Sequence, residues 1–140
     1  MQITVKYTVA LQLLTTCALY PNQKITSNFL ASKIGSDAVI IRQVMLDLKK
    51  ADYISCKPGP GGTTLNVDLN NITLYDIYTA VADIKESIIK FYNLPNNATS
   101  TEKAFLNVTS NYFEAYKINM FNEMKKISIQ QICNEMIANM

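Results

Sequence analysis

Apolar side chains recur at helical spacing at Ile3, Tyr7, Ala10, Leu11, Leu14 and Ala18, which predicts a first helix over residues 3–19. Tyr20-Pro21-Asn22 closes it, because proline cannot continue a helix. Thr26 has the chemistry of an N-cap for a short second helix with Phe29, Leu30 and Ile34 on one face. Gly35 ends that helix in a left-handed conformation. Ser36 or Asp37 caps a third helix reaching about Ala51, its inner face built from Ile40, Ile41, Val44, Met45 and Leu48. The period then changes. Tyr53–Lys57 and Thr63–Leu69 read as strands joined by Pro58-Gly59-Pro60-Gly61-Gly62, a run that forbids helix and favours a hairpin loop. Thr73 and Asp76 form a capping box that opens a fourth helix with Ile77, Ala80, Val81 and Ile84 inward. After a polar loop over Asn93–Thr101, a longer helix carries the stripe Phe105, Val108, Tyr112, Tyr116, Met120 and Met124. Ser128 with Gln131 opens a last helix through Ile132, Met136 and Ile137.

The chain of 140 residues, 49% apolar and 17% charged, has the size and balance of one globular domain. Its apolar runs, such as Val9–Leu14, break well short of the roughly 18 residues that a membrane helix needs. Met1-Gln2-Ile3-Thr4-Val5-Lys6 lacks the basic-then-apolar layout of a signal peptide, so a cytoplasmic location is the expectation. The absence of histidine removes Ser-His-Asp triads, Cys-His dyads, His-bearing zinc sites and imidazole bases. Cys17, Cys56 and Cys133 are dispersed without a Cys-x-x-Cys pair, as befits small buried hydrophobes more than metal ligands. No constellation for catalysis stands out, and neither an enzyme nor a cofactor is expected. Charge is uneven: residues 1–66 carry seven cations against three acids, a net +4, while residues 67–140 carry a net −2. A basic front half suits a protein that faces an anion with one end. Abundant Asn, Ile and Lys beside a single arginine fit an AT-rich bacterial genome.

The second helix, Gly35 and the third helix make a helix-turn-helix pattern, in which Ala31 allows a close crossing and Ile41 and Val44 lock the two helices. A two-stranded hairpin directly afterwards turns the pattern into a winged helix, an α-rich (α+β) fold. In that arrangement the third helix enters the DNA major groove and the wing runs beside the backbone or into the minor groove. Candidate DNA contacts are Lys6, Ser36, Asp37, Ala38, Val39, Arg42, Gln43, Lys57, Gly59, Gly61, Gly62 and Thr63. Arg42 suits a bidentate contact to guanine or a phosphate contact, and Gln43 suits adenine or solvent. Ser36 or Asp37 also serves as a cap, and Asp37 would repel phosphates unless it accepts from cytosine. Lys49 and Lys50 suit the helix dipole or a phosphate. Cys56 beside Lys57 is strand packing or a reactive thiol. The Tyr112–Met124 stripe suits a core, a dimer seam or an effector pocket.

Several segments together resemble the Rrf2 winged-helix regulators of bacteria: Gln2-Ile3-Thr4 with Lys6, Leu48-Lys49-Lys50-Ala51, the Gly59-Pro60-Gly61-Gly62 wing with Leu65, and Ile72-Thr73-Leu74-Tyr75-Asp76-Ile77. Val39-Ile40-Ile41-Arg42-Gln43-Val44-Met45 is closest in pattern to a short-linker branch of that family. The resemblance implies a homodimer in which the long helix, through Phe105, Val108, Tyr112, Tyr116, Met120 and Met124, crosses its partner above a palindromic operator. It implies a transcription factor, a repressor more than an activator, with residues 1–84 as the DNA-binding unit. Residues 85–140 would supply the loop, dimerisation helix and C-terminal helix packed on it. A winged helix turned protein-interaction module is the alternative, and the basic front half argues against it. Departures from the family pattern bear on the signal. Asn93–Lys103 carries none of the cluster-binding cysteines, and Thr99 stands where the short-linker branch often keeps a cysteine. An arginine common in the first helix is missing near Tyr7-Thr8, which leaves Lys6 as the nearby phosphate contact. Any small-molecule or redox effector stays unidentified.

Overall fold

A computed structural model describes residues 4–57, 62–82 and 91–140; Ile3, Gly59, Gly61 and Ile84 of the sequence reading lie outside them. The order is α1 (Val5–Leu19), α2 (Ser27–Ile34), α3 (Ala38–Lys50), β1 (Ile54–Lys57), β2 (Gly62–Leu65), a 3-10 turn (Leu69–Asn71), α4 (Leu74–Val81), α5 (Ser100–Met124) and α6 (Ile129–Ala138). The architecture is helix-rich with one small antiparallel sheet, paired from Ile54↔Leu65 to Lys57↔Gly62.

α1 runs through the middle and touches α2, α3, α4, α6 and β2. It therefore buries more than one face: Val9, Leu13 and Cys17 join Tyr7, Ala10 and Leu14 in the core. A single stripe at 3.6 spacing could not reveal them, because a central helix lacks a solvent face of ordinary width. Around it lie Leu30, Ile41, Val44, Leu48, Ile54, Ile77, Tyr78, Ile129 and Cys133 in one continuous cluster. The second strand stops at Leu65, short of the expected Leu69. Asp68 accepts a hydrogen bond from the Asn70 N–H at 2.9 Å and turns the chain into the 3-10 turn.

The Thr73–Asp76 capping box is fully formed: Thr73 N–H donates to Asp76 at 2.8 Å and Asp76 N–H donates to the Thr73 hydroxyl at 3.2 Å. Next to it, Leu74 N–H donates to the Ile127 carbonyl at 3.0 Å and Ile129 N–H to the Ile72 carbonyl at 2.8 Å. That two-bond bridge ties the start of α4 to the start of α6. Ser128 caps α6 by accepting from Gln131 N–H at 3.1 Å, but the Gln131 side chain reaches Glu135 instead of closing the box. α6 buries Ile129 and Cys133, while Met136 and Ile137 are exposed. α5 also differs from its expected uniform stripe. Phe105, Val108, Tyr112 and Tyr116 are 49–61% exposed, whereas Met124 is buried and Met120 half-buried in this chain's own core. The end of α5 is held there by Phe121, whose ring packs on Tyr75 and Tyr78 at centroid distances of 5.2 and 5.5 Å.

Candidate nucleic-acid interface

The local chemistry between α2 and α3 places the outer face of α3. Thr26 caps α2, its hydroxyl accepting from Phe29 N–H at 3.1 Å. Gly35 ends α2 at φ +71°, with its N–H on the Ala31 carbonyl at 2.9 Å. A Cβ there would meet nothing within 4 Å, so the left-handed backbone alone requires glycine. Asp37, not Ser36, caps α3: its carboxylate accepts from Val39 N–H at 2.6 Å. This local bond, and the charge it sets against the helix dipole, accounts for an acid at the start of the helix.

α3 then divides cleanly. Ile41, Val44 and Leu48 are buried, while Ala38, Val39, Arg42, Gln43, Leu46, Lys49 and Lys50 are exposed. Arg42, Gln43, Lys49 and Lys50 thus share a surface with the N-terminal residues of the helix, as a groove-reading helix needs. Leu46 was absent from the sequence reading, although its spacing from Val39, Arg42 and Gln43 marks the same face.

Lys6 sits differently from its expected role. Its ammonium lies 2.6 Å from the Asp47 carboxylate, joining α1 to α3 in a half-buried ion pair. Lys6 is thereby committed to Asp47 rather than left free for phosphate. The pair neutralises the one acid in the body of α3, which leaves the Asp37 cap as the other carboxylate of that helix. A separation of 41 residues hides this partnership from any local pattern.

At the wing, Lys57 is exposed at the end of β1, opposite Gly62. Gly62 has φ +65°, and a Cβ on it would stand 3.0 Å from the Ile25 carbonyl oxygen. Here glycine answers both backbone and space. Thr63, expected at DNA, is turned inward: it is buried, its N–H donates to the Ile25 carbonyl at 2.8 Å and its hydroxyl lies 3.7 Å from Cys56 Sγ. The hairpin is anchored through these two residues onto the segment before α2, which fixes the wing relative to α3. Between them lies a cleft of about 280 Å³ lined by Ser27, Arg42, Met45, Leu46, Lys49 and Cys56.

The thiols do not converge as ligands. Burial, with Cys56 nearby as a smaller cause, pushes the Cys17 thiol up to about 12. Burial also raises that of Cys133. A metal-bound cysteine must shed its proton, and these surroundings oppose it. Among the described residues no three Cys, Asp or Glu side chains stand together as a metal-holding group. No described helix is long and apolar enough to cross a membrane.

Comparison with known proteins agrees with this geometry. The family model Rrf2, described as an iron-dependent transcriptional regulator, matches residues 3–135. A protein described as the HTH-type transcriptional regulator YwnA of Bacillus subtilis (strain 168) is 26% identical over 134 residues, covering 96% of this chain and 98% of its own. The fold is shared with T. potens IscR, at TM-score 0.72 and 18% identity over 100% of this chain and 92% of that one. It is shared too with the oxidised form of Staphylococcus aureus CymR, at TM-score 0.68 and 18% identity over 95% and 96% of the two chains. The donor set here does not fit the iron of the family description: the chain has no histidine, and two of its three cysteines are buried with raised thiols.

Proposed function

The chain belongs to the Rrf2 family of transcriptional regulators, not of enzymes, and from that membership we propose that it binds duplex DNA as a homodimer, with α3 in the major groove and the wing along the backbone. The observation that carries this reading is the outer face of α3. It exposes Arg42, Gln43, Lys49 and Lys50 while its one mid-helix acid, Asp47, is neutralised by Lys6. Arg42 and Gln43 are the base-reading candidates; Lys57 and the wing glycines grip the backbone. Ser36, Ala38 and Val39 lie at the end of α3 that enters the groove.

The exposed side chains Phe105, Val108, Tyr112 and Tyr116 on α5 form the dimer seam, whose two-fold axis calls for a palindromic operator with half-sites about ten base pairs apart. Residues 1–84 act as the DNA-binding unit and 85–140 as the part that pairs and braces it. The regulator works in the cytoplasm and represses by occupying its operator. An effector would act by changing the separation of the two α3 helices. The test is selection from random duplex DNA with the purified full chain, followed by footprinting. The expected result is a palindromic site protected on one face; failure to enrich any sequence would favour a protein-interaction module.

A further inference from the structure

α3 exposes two large apolar side chains on the face that carries its cations. Val39 is 52% exposed and Leu46 54% exposed, while the other branched apolar residues of the helix are buried or half-buried against the core. The two are seven residues apart, two helical turns, so they stand about 10.5 Å apart along the helix. Arg42 and Gln43 lie between them on the same surface, and Lys49 lies one turn beyond Leu46. Leu46 also borders the cleft shared with Arg42, Met45 and Lys49. An apolar partner surface placed here would leave Arg42 and Lys49 facing it without countercharge. A polyanion that presents isolated apolar groups satisfies both features at once.

The major groove does so. Its phosphates meet the cations, and its one apolar feature is the C5-methyl of thymine. Resting on the DNA-binding reading above, we propose that Val39 and Leu46 read thymine methyl groups on either side of the bases met by Arg42 and Gln43. A separation of about 10.5 Å along the helix spans at most about three base steps at roughly 3.4 Å each, and fewer as the helix tilts across the groove. Each half-site of the operator therefore carries two thymine methyls no more than about three base pairs apart, flanking the polar-read bases.

The experiment uses the full-length chain and the operator that footprinting defines. Each thymine is replaced singly by deoxyuridine, which removes only the methyl and leaves base pairing intact. Binding of the unmodified protein should weaken about fourfold per methyl at the two positions in each half-site, the loss that one buried carbon implies. Leu46→Ala should erase the sensitivity at one position and Val39→Ala at the other. Specific binding that ignores every deoxyuridine replacement overturns methyl reading and leaves DNA binding standing. So does an equal loss in the unmodified protein and both variants. No sequence-specific binding to any duplex overturns both readings together.

Discussion

Lys6 and Asp47 illustrate how one side chain's job is set by a neighbour far away in sequence. From sequence, Lys6 is a spare cation near a helix start; in the fold it is half of an ion pair between α1 and α3. Thr63 changes in the same direction, from a wing residue facing DNA to a buried anchor on Ile25. Both shifts arise from tertiary contacts that no local pattern encodes. The local rules, by contrast, placed Thr26 and Gly35 correctly and narrowed the α3 cap to Ser36 or Asp37, because a cap or a left-handed turn involves only residues two to four positions away. The two glycines separate backbone from space. Gly35→Ala should cost about 1–2 kcal/mol, the penalty of a left-handed alanine with room for its methyl. Gly62→Ala should cost more, since its methyl also meets Ile25 backbone at 3.0 and 3.1 Å. Urea unfolding of both variants checks the order; equal midpoints would refute it. At the candidate interface, Arg42→Ala should weaken operator binding by about 1–3 kcal/mol and relax one base pair per half-site. Anisotropy titration against single-base variants checks this, and an equal loss on every sequence would make Arg42 a phosphate clamp.

Elements were legible where amphipathicity was simple and less so where an element serves two neighbours. α3 has one buried and one open face, and its sequence reads accordingly. α5 has a free portion and an anchored end, so its continuous stripe from Phe105 to Met124 hid the change from exposed side chains to core. α6 buries Ile129 and Cys133 near its start, held by the bridge to α4, and this rotates Met136 and Ile137 outward. The strands were overrun because Val67 and Leu69 keep strand-like alternation while Asp68 enforces a turn. The junction of α4 and α6 is accordingly a point of concentrated stability. Thr73→Ala removes the cap of α4 beside both bridge hydrogen bonds and should cost about 1–2 kcal/mol. Ser128→Ala, which loses one cap bond without a reciprocal partner, should cost less. Chemical denaturation of the pair decides the matter, and a larger loss for Ser128→Ala would show that the capping box is not the dominant fastening.

For the whole molecule, burial and charge act on different sides. The core holds Cys17, whose thiol rises from 9.0 to about 12, and Tyr7, whose phenol rises from 10.0 to about 12, each chiefly through burial. Both groups prefer their protonated form in the fold, so their contribution is complete below pH 9 and is lost as pH climbs towards about 12. The urea midpoint should therefore fall between pH 8 and pH 10.5, and Cys17→Ser should flatten part of that fall.

The outward charge is the more direct test of the account. Lys49, Lys50 and Lys57, all exposed, give about six phosphate-range cations over two subunits, for a slope of log affinity on log salt near −5. The measurement is anisotropy titration of the full chain on its footprinted operator at several salt concentrations between 50 and 200 mM. Affinity should fall about a thousandfold across that range, and Lys57→Ala should make the slope shallower by about two. Binding that is indifferent to salt, or no tighter for the operator than for unrelated duplex, would contradict the assignment of α3 and the wing to DNA.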